Sequence, residues 1–544
     1  MCLKTKKIKA TVTFTTPLLL DRLDILSRPV SYVAYNLESK TGEPVKFIFG
    51  ISTEICVNDY DRKVKFGRTE NTGFCGNVNQ NELSMSGDPV LIDWGYLHIA
   101  DKNCFALKDT QRVDYDGVYT PYTDAMYLTC ERSDTKGVIT VGYDEIHPIQ
   151  YFGTNLDECY KNQFSTFEEM IVDSDARYEE IKALCDKFDK ELTEEASRLG
   201  EDYKNIVTLA YRQAIAAHKL VEDKDGKVIF LSKECYSNGC IGTLDVTYPS
   251  IPLFLKYNPE LVLGMLRPII RFAQSDGWKY EYTPHDVGQY PLANGQVYGL
   301  NKTTGELMEN YQMPVEEAGN MLLCVAAVMK YGKEIGKKFF EENKAILKQW
   351  AEYLTKFGYD PGNQLCTDDF AGHLSHNCNL SLKAILGLYA YGDMSGEYSY
   401  CELAKEYAAK WEKEASGTNG TLLAFDAPDS WSLKYNIVWD SLLGYNIFTQ
   451  NVKKKEIELY KTKLNRYGVP LDSRENYTKI DWLMWSTVIY NDKDYFDAVC
   501  DSMIKMMSET GDRVPMTDWY CTKSAIHHSF QNRTVVAGLF INLI

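Results

Sequence analysis

Cleaving an amide or glycosidic bond without a metal asks for one group that donates a proton and another that attacks or activates water. Two carboxylates in different environments can divide those roles. Candidates sit in polar, aromatic-rich segments of this sequence. FLSKECYSNGCIGTLDVTYPS holds Glu234 and Asp245 in a Gly- and Cys-rich stretch too irregular for a helix. WKYEYTPHDVGQYPLANGQVYG is a Tyr-studded loop with His285, Asp286 and Tyr290. MPVEEAGNM sets Glu316 and Glu317 just after Pro314, in the expected first turn of a helix. CTDDFAGHLSHN supplies Asp368, Asp369, His373 and His376, and the late segments VPMTDWY and FQNRTVVAG supply Asp518 and Arg533.

Glu234 and Glu317 are the expected catalytic pair, with Glu316 as the alternative to its neighbour. Glu234 lies among small and aromatic residues able to desolvate it, and Glu317 heads an apolar helix. A helix N-terminus favours the carboxylate, so Glu317 can donate a proton only if burial or the Glu316 charge outweighs the dipole. Asp245, His285, Asp286, Tyr290, Asp369 and Arg533 are the expected substrate contacts. Plainer roles stand beside these: Glu316 as a residue favoured by the dipole, Asp245 as a turn residue, Asp368 and Asp369 as helix caps, and Arg533 as a structural ion-pair partner.

No metal or other cofactor is expected. His373 and His376 lack an HExxH pattern or a third ligand, and Cys235 and Cys240 lack CxxC spacing. Nor does the sequence carry a GxSxG elbow, a P-loop or a GxGxxG after a strand, which removes the esterase, NTPase and dinucleotide readings.

These segments must be held by a scaffold. With 544 residues, two domains are expected, one of them large. From Thr11 to about Tyr151, short runs such as TVTF, SYVAYNL, VKFIFGI and GVITVGY read as strands of a β-sandwich. A charged segment follows in which Ile181, Leu184, Phe188 and Leu192 recur at helical steps. Beyond Tyr203 come long helical patterns, including YKNIVTLAYRQAIAAHKL, PVEEAGNMLLCVAAVMKYG and KKFFEENKAILKQWAEYLTKFG, several ending in Gly at an expected C-cap. At roughly 25 to 30 residues per helix and connector, about a dozen helices fit, which suits six concentric hairpins. The expected architecture is thus a β-sandwich at 1–165, a linker helix at 166–202 and an (α/α)6 toroid at 203–544, with the site at one open end.

The formal charge of −17 repels phosphate backbones and anionic lipid, so a small molecule is the expected partner, with neither nucleic acid nor membrane. Fifteen Cys without paired spacing, and a start that leads into alternating residues instead of a long apolar run, suggest the cytoplasm; a longer natural start would allow secretion.

AYRQAIAAHKL, FLSKECYSNGCIGTLDVTYPSIPLFLKYNPEL, PHDVGQYPLANGQVYG, MPVEEAGNML, LCTDDFAGHLSHNCNLSLKAI, DSWSLKYNIVWD, GVPLDSRENYTKIDW and the Arg533 segment together resemble the glutaminase A family. TFTTPLLLDRLDILSRPVSYVAY resembles that family's N-terminal β domain, although this chain starts later than typical members. The resemblance implies a six-hairpin glycosidase-like fold and conversion of L-glutamine to glutamate and ammonia. A more distant resemblance, to the bile-acid β-glucosidases (the non-lysosomal glucosylceramidases), implies a retaining glycoside hydrolase. By it Glu234 is the nucleophile, Glu317 the acid/base, and Asp245, His285, Asp286 and Arg533 substrate contacts.

Overall fold

The computed structural model describes residues 1–418, 420–512 and 514–544. The chain divides into two compact units, Met1–Glu191 with Leu220–Glu222, and Leu192–Lys219 with Asp223–Ile544.

In the first unit, β-branched and aromatic residues in short alternating runs form two antiparallel sheets. The larger runs in the order Cys2–Lys4, Ile8–Thr15, Val30–Ser39, Lys136–Asp144, Tyr96–Ile99, Gly73–Asn77, Val64–Arg68 and Val118–Tyr119. The smaller runs Phe47–Ser52, Met126–Arg132, Phe105–Lys108 and Gln111–Arg112. Alternate residues of both, among them Val33, Tyr35, Phe66 and Leu97 from the larger sheet and Ala106, Met126 and Leu128 from the smaller, bury into one core. That is the sandwich expected from the period-2 pattern. The helix Phe167–Ala176 opens with a complete capping box, Thr166 with Glu169. Its buried face, together with Ile181, Leu184 and Phe188 of the next helix, Tyr178–Ser197, packs against Ile25, Val30 and Tyr32. Of the stripe read as a linker, Ile181, Leu184 and Phe188 are therefore packed into the first unit's own core, while Leu192 begins the second unit.

The second unit is helical. Its long helices are α1 (Glu201–Ala216), α2 (Leu244–Tyr257), α3 (Pro259–Ala273), α4 (Pro314–Gly332), α5 (Glu334–Phe357), α6 (Cys378–Ser395), α7 (Ser399–Glu414), α8 (Gln450–Lys463), α9 (Ile480–Ser486) and α10 (Lys493–Glu509). Helix α2 packs on α4, α4 on α6, and α6 on the segment at 435–442; that segment packs on α9, α9 on the closing 3-10 helix Thr534–Leu543, and this helix on α2. The inner ring closes on itself. Helices α3, α5 and α7 each pack on the inner helix that precedes them, and α1 packs on Thr534–Leu543. Composition explains the layering: α2, α4 and α6 are buried over almost their whole surface, whereas α5 and α7 bury one stripe and expose charge on the other face.

The structure departs from the sequence reading at several ends. Helix α1 stops at Ala216 and His218–Glu222 is a strand, so the helical pattern read through to Leu220 runs too long. Gly332 lies within α4 and the cap is Lys333; Gly396, at φ 74°, is the left-handed C-cap of α6. Asp245 is not in a loop but in the first turn of α2, a buried helix that carries Pro249 and Pro252 inside it. No helix among the described residues is long and apolar enough to cross a membrane.

Candidate active site

Glu234 lies just beyond the buried strand Val228–Ser232, in a tight loop where its amide donates to the Cys240 carbonyl at 2.8 Å. This loop is zipped to the His285 loop. Ile241 donates to the Gly288 carbonyl, Val287 donates back to Ile241, and Leu244, at the head of α2, donates to the His285 carbonyl. Gly288 is required for the tight turn inside the His285 loop: it has φ 148°, and a Cβ there would stand 1.9 Å from the Leu292 carbonyl oxygen. Residues about fifty positions apart are thereby fixed in one wall.

The result is a buried cluster. Glu234, Asp245 and His285 place ligand-type atoms within 4.8 Å of one another. The His285 Nε2 is 3.7 Å from Asp245 Oδ1, and its Nδ1 is 3.0 Å from Asp286 Oδ2. Asp286 is pinned by three amides, those of Gly288 (2.9 Å), Val297 (3.0 Å) and Tyr298 (3.1 Å). Burial opposes an imidazolium at His285, but Asp245 and Asp286 more than offset it and hold the ring's pKa well above the usual range. The Tyr298 ring stacks on His285 with centroids 4.2 Å apart, and its hydroxyl donates to Asp369 at 2.8 Å. The Arg533 guanidinium stands 3.8 Å from Glu234 and 3.9 Å from Asp518.

Electrostatics separates the carboxylates. Burial raises Glu234, while Arg533 and His285 pull it back toward ionisation. Glu317 is pushed well above the carboxylate range, first by burial and then by Asp245, so desolvation outweighs the helix dipole at the start of α4. Burial lifts Asp245 to about 7. Unpaired oxygens are left facing the cluster: Glu234 Oε1, Asp245 Oδ1 and Glu317 Oε1 are buried with no hydrogen-bond partner among the described residues.

The two adjacent glutamates are told apart by their partners. Glu316 is clamped by the Lys383 ammonium and the Thr367 hydroxyl. Among the described residues Glu317 receives the Asn320 side-chain amide alone, at 3.0 Å, and Asn320 is in turn held by Lys383 at 2.7 Å. The structure thus brings Glu234, Asp245, His285, Asp286, Asp369, Arg533 and Glu317 together and turns Glu316 toward Lys383. Tyr290 is placed differently, its ring 4.8 Å from the Lys233 ammonium and 6.0 Å from that of Lys219. The capping role read for the acidic pair after Thr367 is not what forms. Asp368 makes no side-chain cap and instead accepts from the Tyr435 hydroxyl (2.8 Å) and the Trp482 indole (3.1 Å). His373 and His376 also part company, one on the Asn310 carbonyl and the other on Asp360.

Lys383, Asn320, Thr367, Tyr298, Lys479 and Asp481 did not emerge from the sequence. Two carried a signal: Lys383 is a lone charge in the apolar run NLSLKAILGLYAYG, and Asp481 a lone charge in IDWLMW. A buried ionic side chain in such a run needs a partner.

Glu234, Asp245 and His285 are spaced as metal ligands are. The Arg533 guanidinium beside Glu234 opposes a cation at that point.

Three buried carboxylates make stability depend on pH. Folded Asp245 and Asp481 titrate at about 7 and Asp368 at about 6, each raised by burial from an ordinary value of 3.8. A raised folded pKa gives stability that is complete below the unfolded pKa and lost as pH rises through the folded one. Each contribution is therefore expected to fall between about pH 4 and 7 by roughly 3–4 kcal/mol, at about 1.4 kcal/mol per pKa unit. Melting temperature against pH should drop over that window and flatten in Asp481→Asn; an unchanged slope in the variant would refute the assignment.

Comparison with known proteins places this geometry. Residues 200–543 match the model of the glutaminase A six helical-hairpin domain, and residues 1–118 and 123–195 match a domain of unknown function, DUF5127. Glutaminase A of Aspergillus oryzae is 27% identical over 99% of this chain and 83% of its own length. A probable glutaminase of Arthroderma benhamiae is 28% identical over 66% of this chain and 52% of its own. Among solved structures, a sugar epimerase from a ruminal bacterium aligns with a TM-score of 0.43 at 9% identity, over 64% of this chain and 99% of that one. A glycosidase in complex with glucose aligns at 0.44 and 12%, over 63% of this chain and 96% of that one. With its six-hairpin domain matched almost from end to end, the chain is a hydrolase-type member of the glutaminase A family.

Proposed function

We propose that this chain hydrolyses L-glutamine, with Glu234 activating water and Glu317 donating the proton. The observation that carries the mechanism is the contrast between the two carboxylates: Glu234 has the Arg533 guanidinium at 3.8 Å, whereas burial and the Asp245 charge outweigh His285 at Glu317 and hold it well above the carboxylate range. Such a pair holds one acid and one base at the same pH. Glu234 takes a proton from water as the oxygen attacks the side-chain amide carbon. The C–N bond breaks as Glu317 gives its proton to the leaving nitrogen, releasing ammonia and glutamate. The substrate assignment draws on the glutaminase names of the two fungal relatives.

A second reading, a retaining glycoside hydrolase, is favoured by one observation. The Arg533 guanidinium is already shared between Glu234 and Asp518, so an amino-acid carboxylate would compete for it, whereas a sugar brings hydroxyls and no charge. In that chemistry Glu234 attacks the anomeric carbon and Glu317 protonates the departing oxygen.

The deciding experiment gives the purified full chain L-glutamine in one reaction and a panel of aryl glycosides in another, each with EDTA. Ammonia release supports the first reading, and aryl-alcohol release without ammonia replaces it by the second. Neither product would sink both. Activity that EDTA abolishes would show that Glu234, Asp245 and His285 work around a metal.

A further inference from the structure

Behind Arg533 lies a line of buried alternating charge. The strand Tyr477–Lys479 pairs with Trp519–Cys521, with Lys479 opposite Trp519, and the Ile480 amide donates to the Asp518 carbonyl at 2.9 Å. That ladder sets the Lys479 ammonium against the Asp518 carboxylate, and it leaves Asp481, in the first turn of α9, 3.9 Å from the same ammonium. Asp518 reaches Arg533 at 3.9 Å, and Arg533 reaches Glu234 at 3.8 Å. The side chains of Asp481 and Asp518 are fully buried, and that of Lys479 is 1% exposed. The Phe530 ring packs on the Arg533 guanidinium at 4.3 Å, with the Lys479 ammonium 5.9 Å from the same ring.

We propose that Lys479 and Asp518 are a positioning relay, which sets how much of the Arg533 charge is available to Glu234. The proposal rests on the reading of Glu234 as the reacting carboxylate. Arg533 is a single cation standing between two anions. Left alone with it, Asp518 would draw the guanidinium away from Glu234. Lys479 neutralises Asp518 and leaves Arg533 to serve the active carboxylate. Buried charges exchange such compensation strongly because little solvent screens them.

The groups facing Glu234 are Arg533, His285, Asp369 and Thr243, with Asp245 within ligand distance and Tyr298 and Cys240 in its field. Arg533 is the side chain that contacts both Glu234 and Asp518, so the effect of Lys479 on Glu234 runs through it and has an opposite sign at each step. Removing the Lys479 charge frees Asp518 to capture Arg533, which makes Glu234 harder to ionise. Removing the Asp518 charge releases Arg533 to Glu234 and makes it easier.

The test is the acid limb of kcat/KM against pH in Lys479→Met, Asp518→Asn and the double variant, with Glu234→Gln as control. Lys479→Met should move the limb up by roughly one unit or more, the size that an opposite charge at about 4–6 Å gives a carboxylate. Asp518→Asn should move it down, and the double variant should return it to within a few tenths of a unit of the parent. Lys479→Arg, which keeps the charge, should leave the limb in place. If Lys479→Met does not fold, the downward shift of Asp518→Asn and the return to the parent limb in the double variant still decide. Shifts of one sign, or none, would overturn the relay while Glu234→Gln stays inactive. Normal turnover by Glu234→Gln would instead overturn the reading beneath it.

Discussion

Glu234→Gln is expected to keep the fold and lose about 10³-fold or more of kcat, the upper part of the range that a positioned acid or base contributes. The substitution is nearly isosteric, and the backbone that builds the Glu234 loop, bonded to Cys240 and Gly239, does not involve the side chain. What is removed is the negative charge that Arg533 and His285 face. Burial already disfavours that charge, so the amide should melt at the same temperature as the parent or above it, as expected where activity is bought with stability. Glu317→Gln should also be inactive, but for loss of the proton donor. An external nucleophile such as azide could therefore restore turnover to Glu234→Gln in the glycosidase reading, on an activated aryl substrate. Circular dichroism, melting temperature and turnover on glutamine and on aryl glycosides measure the outcome together. A folded Glu234→Gln with turnover within about tenfold of the parent would remove this residue from the mechanism.

The architecture was legible because it depends on patterns repeated many times. Period-2 runs gave the sandwich, and apolar helices with Gly and Pro punctuation gave the helical unit. Pro314 was read correctly as the start of α4, since a first-turn proline loses no hydrogen bond. The carboxylates were legible as types, being acids in aromatic loops. Their partners were not, because partnership is a tertiary property: Lys383 lies 67 residues from Glu316, and Arg533 lies on a different segment from every acid it meets. Asp245 shows the limit of local reading. The Gly- and Cys-rich run before it made its segment look irregular throughout, yet a buried helix begins at Leu244. The tension at Glu317 between dipole and burial also needed the structure, since only the depth of burial decides which wins.

Lys383→Met is expected to cost about 3–5 kcal/mol of stability, the loss usual when one partner of a buried ion pair is removed. The Lys383 side chain is fully buried, and Glu316 is 2% exposed, so no water can take over the ammonium's role. The site is built for this lysine. Its ammonium lies 4.2 Å from the centroid of the Tyr248 ring, and its stem passes so close to α4 that a Cβ at Gly319 would stand 2.7 Å from Lys383 Cγ. Methionine fills that channel but leaves Glu316 charged or forces it to take a proton. Adding Glu316→Gln should therefore recover a large part of the loss, because Thr367 can still bond the amide, and the two changes will be far from additive. The catalytic consequence runs through Asn320. Lys383 holds the Asn320 carbonyl oxygen, which turns the amide nitrogen toward Glu317. Without the lysine, the Asn320 oxygen loses the contact that orients it, and the amide nitrogen, which also reaches Glu316 at 3.5 Å, is held less firmly on Glu317. The double variant should accordingly regain stability without regaining full turnover. Chemical denaturation and steady-state rates on the same samples measure both. Losses from Lys383→Met and Glu316→Gln that simply add would show that the pair is not a unit, and a double variant restored in turnover as fully as in stability would show that Asn320 plays no part in positioning Glu317.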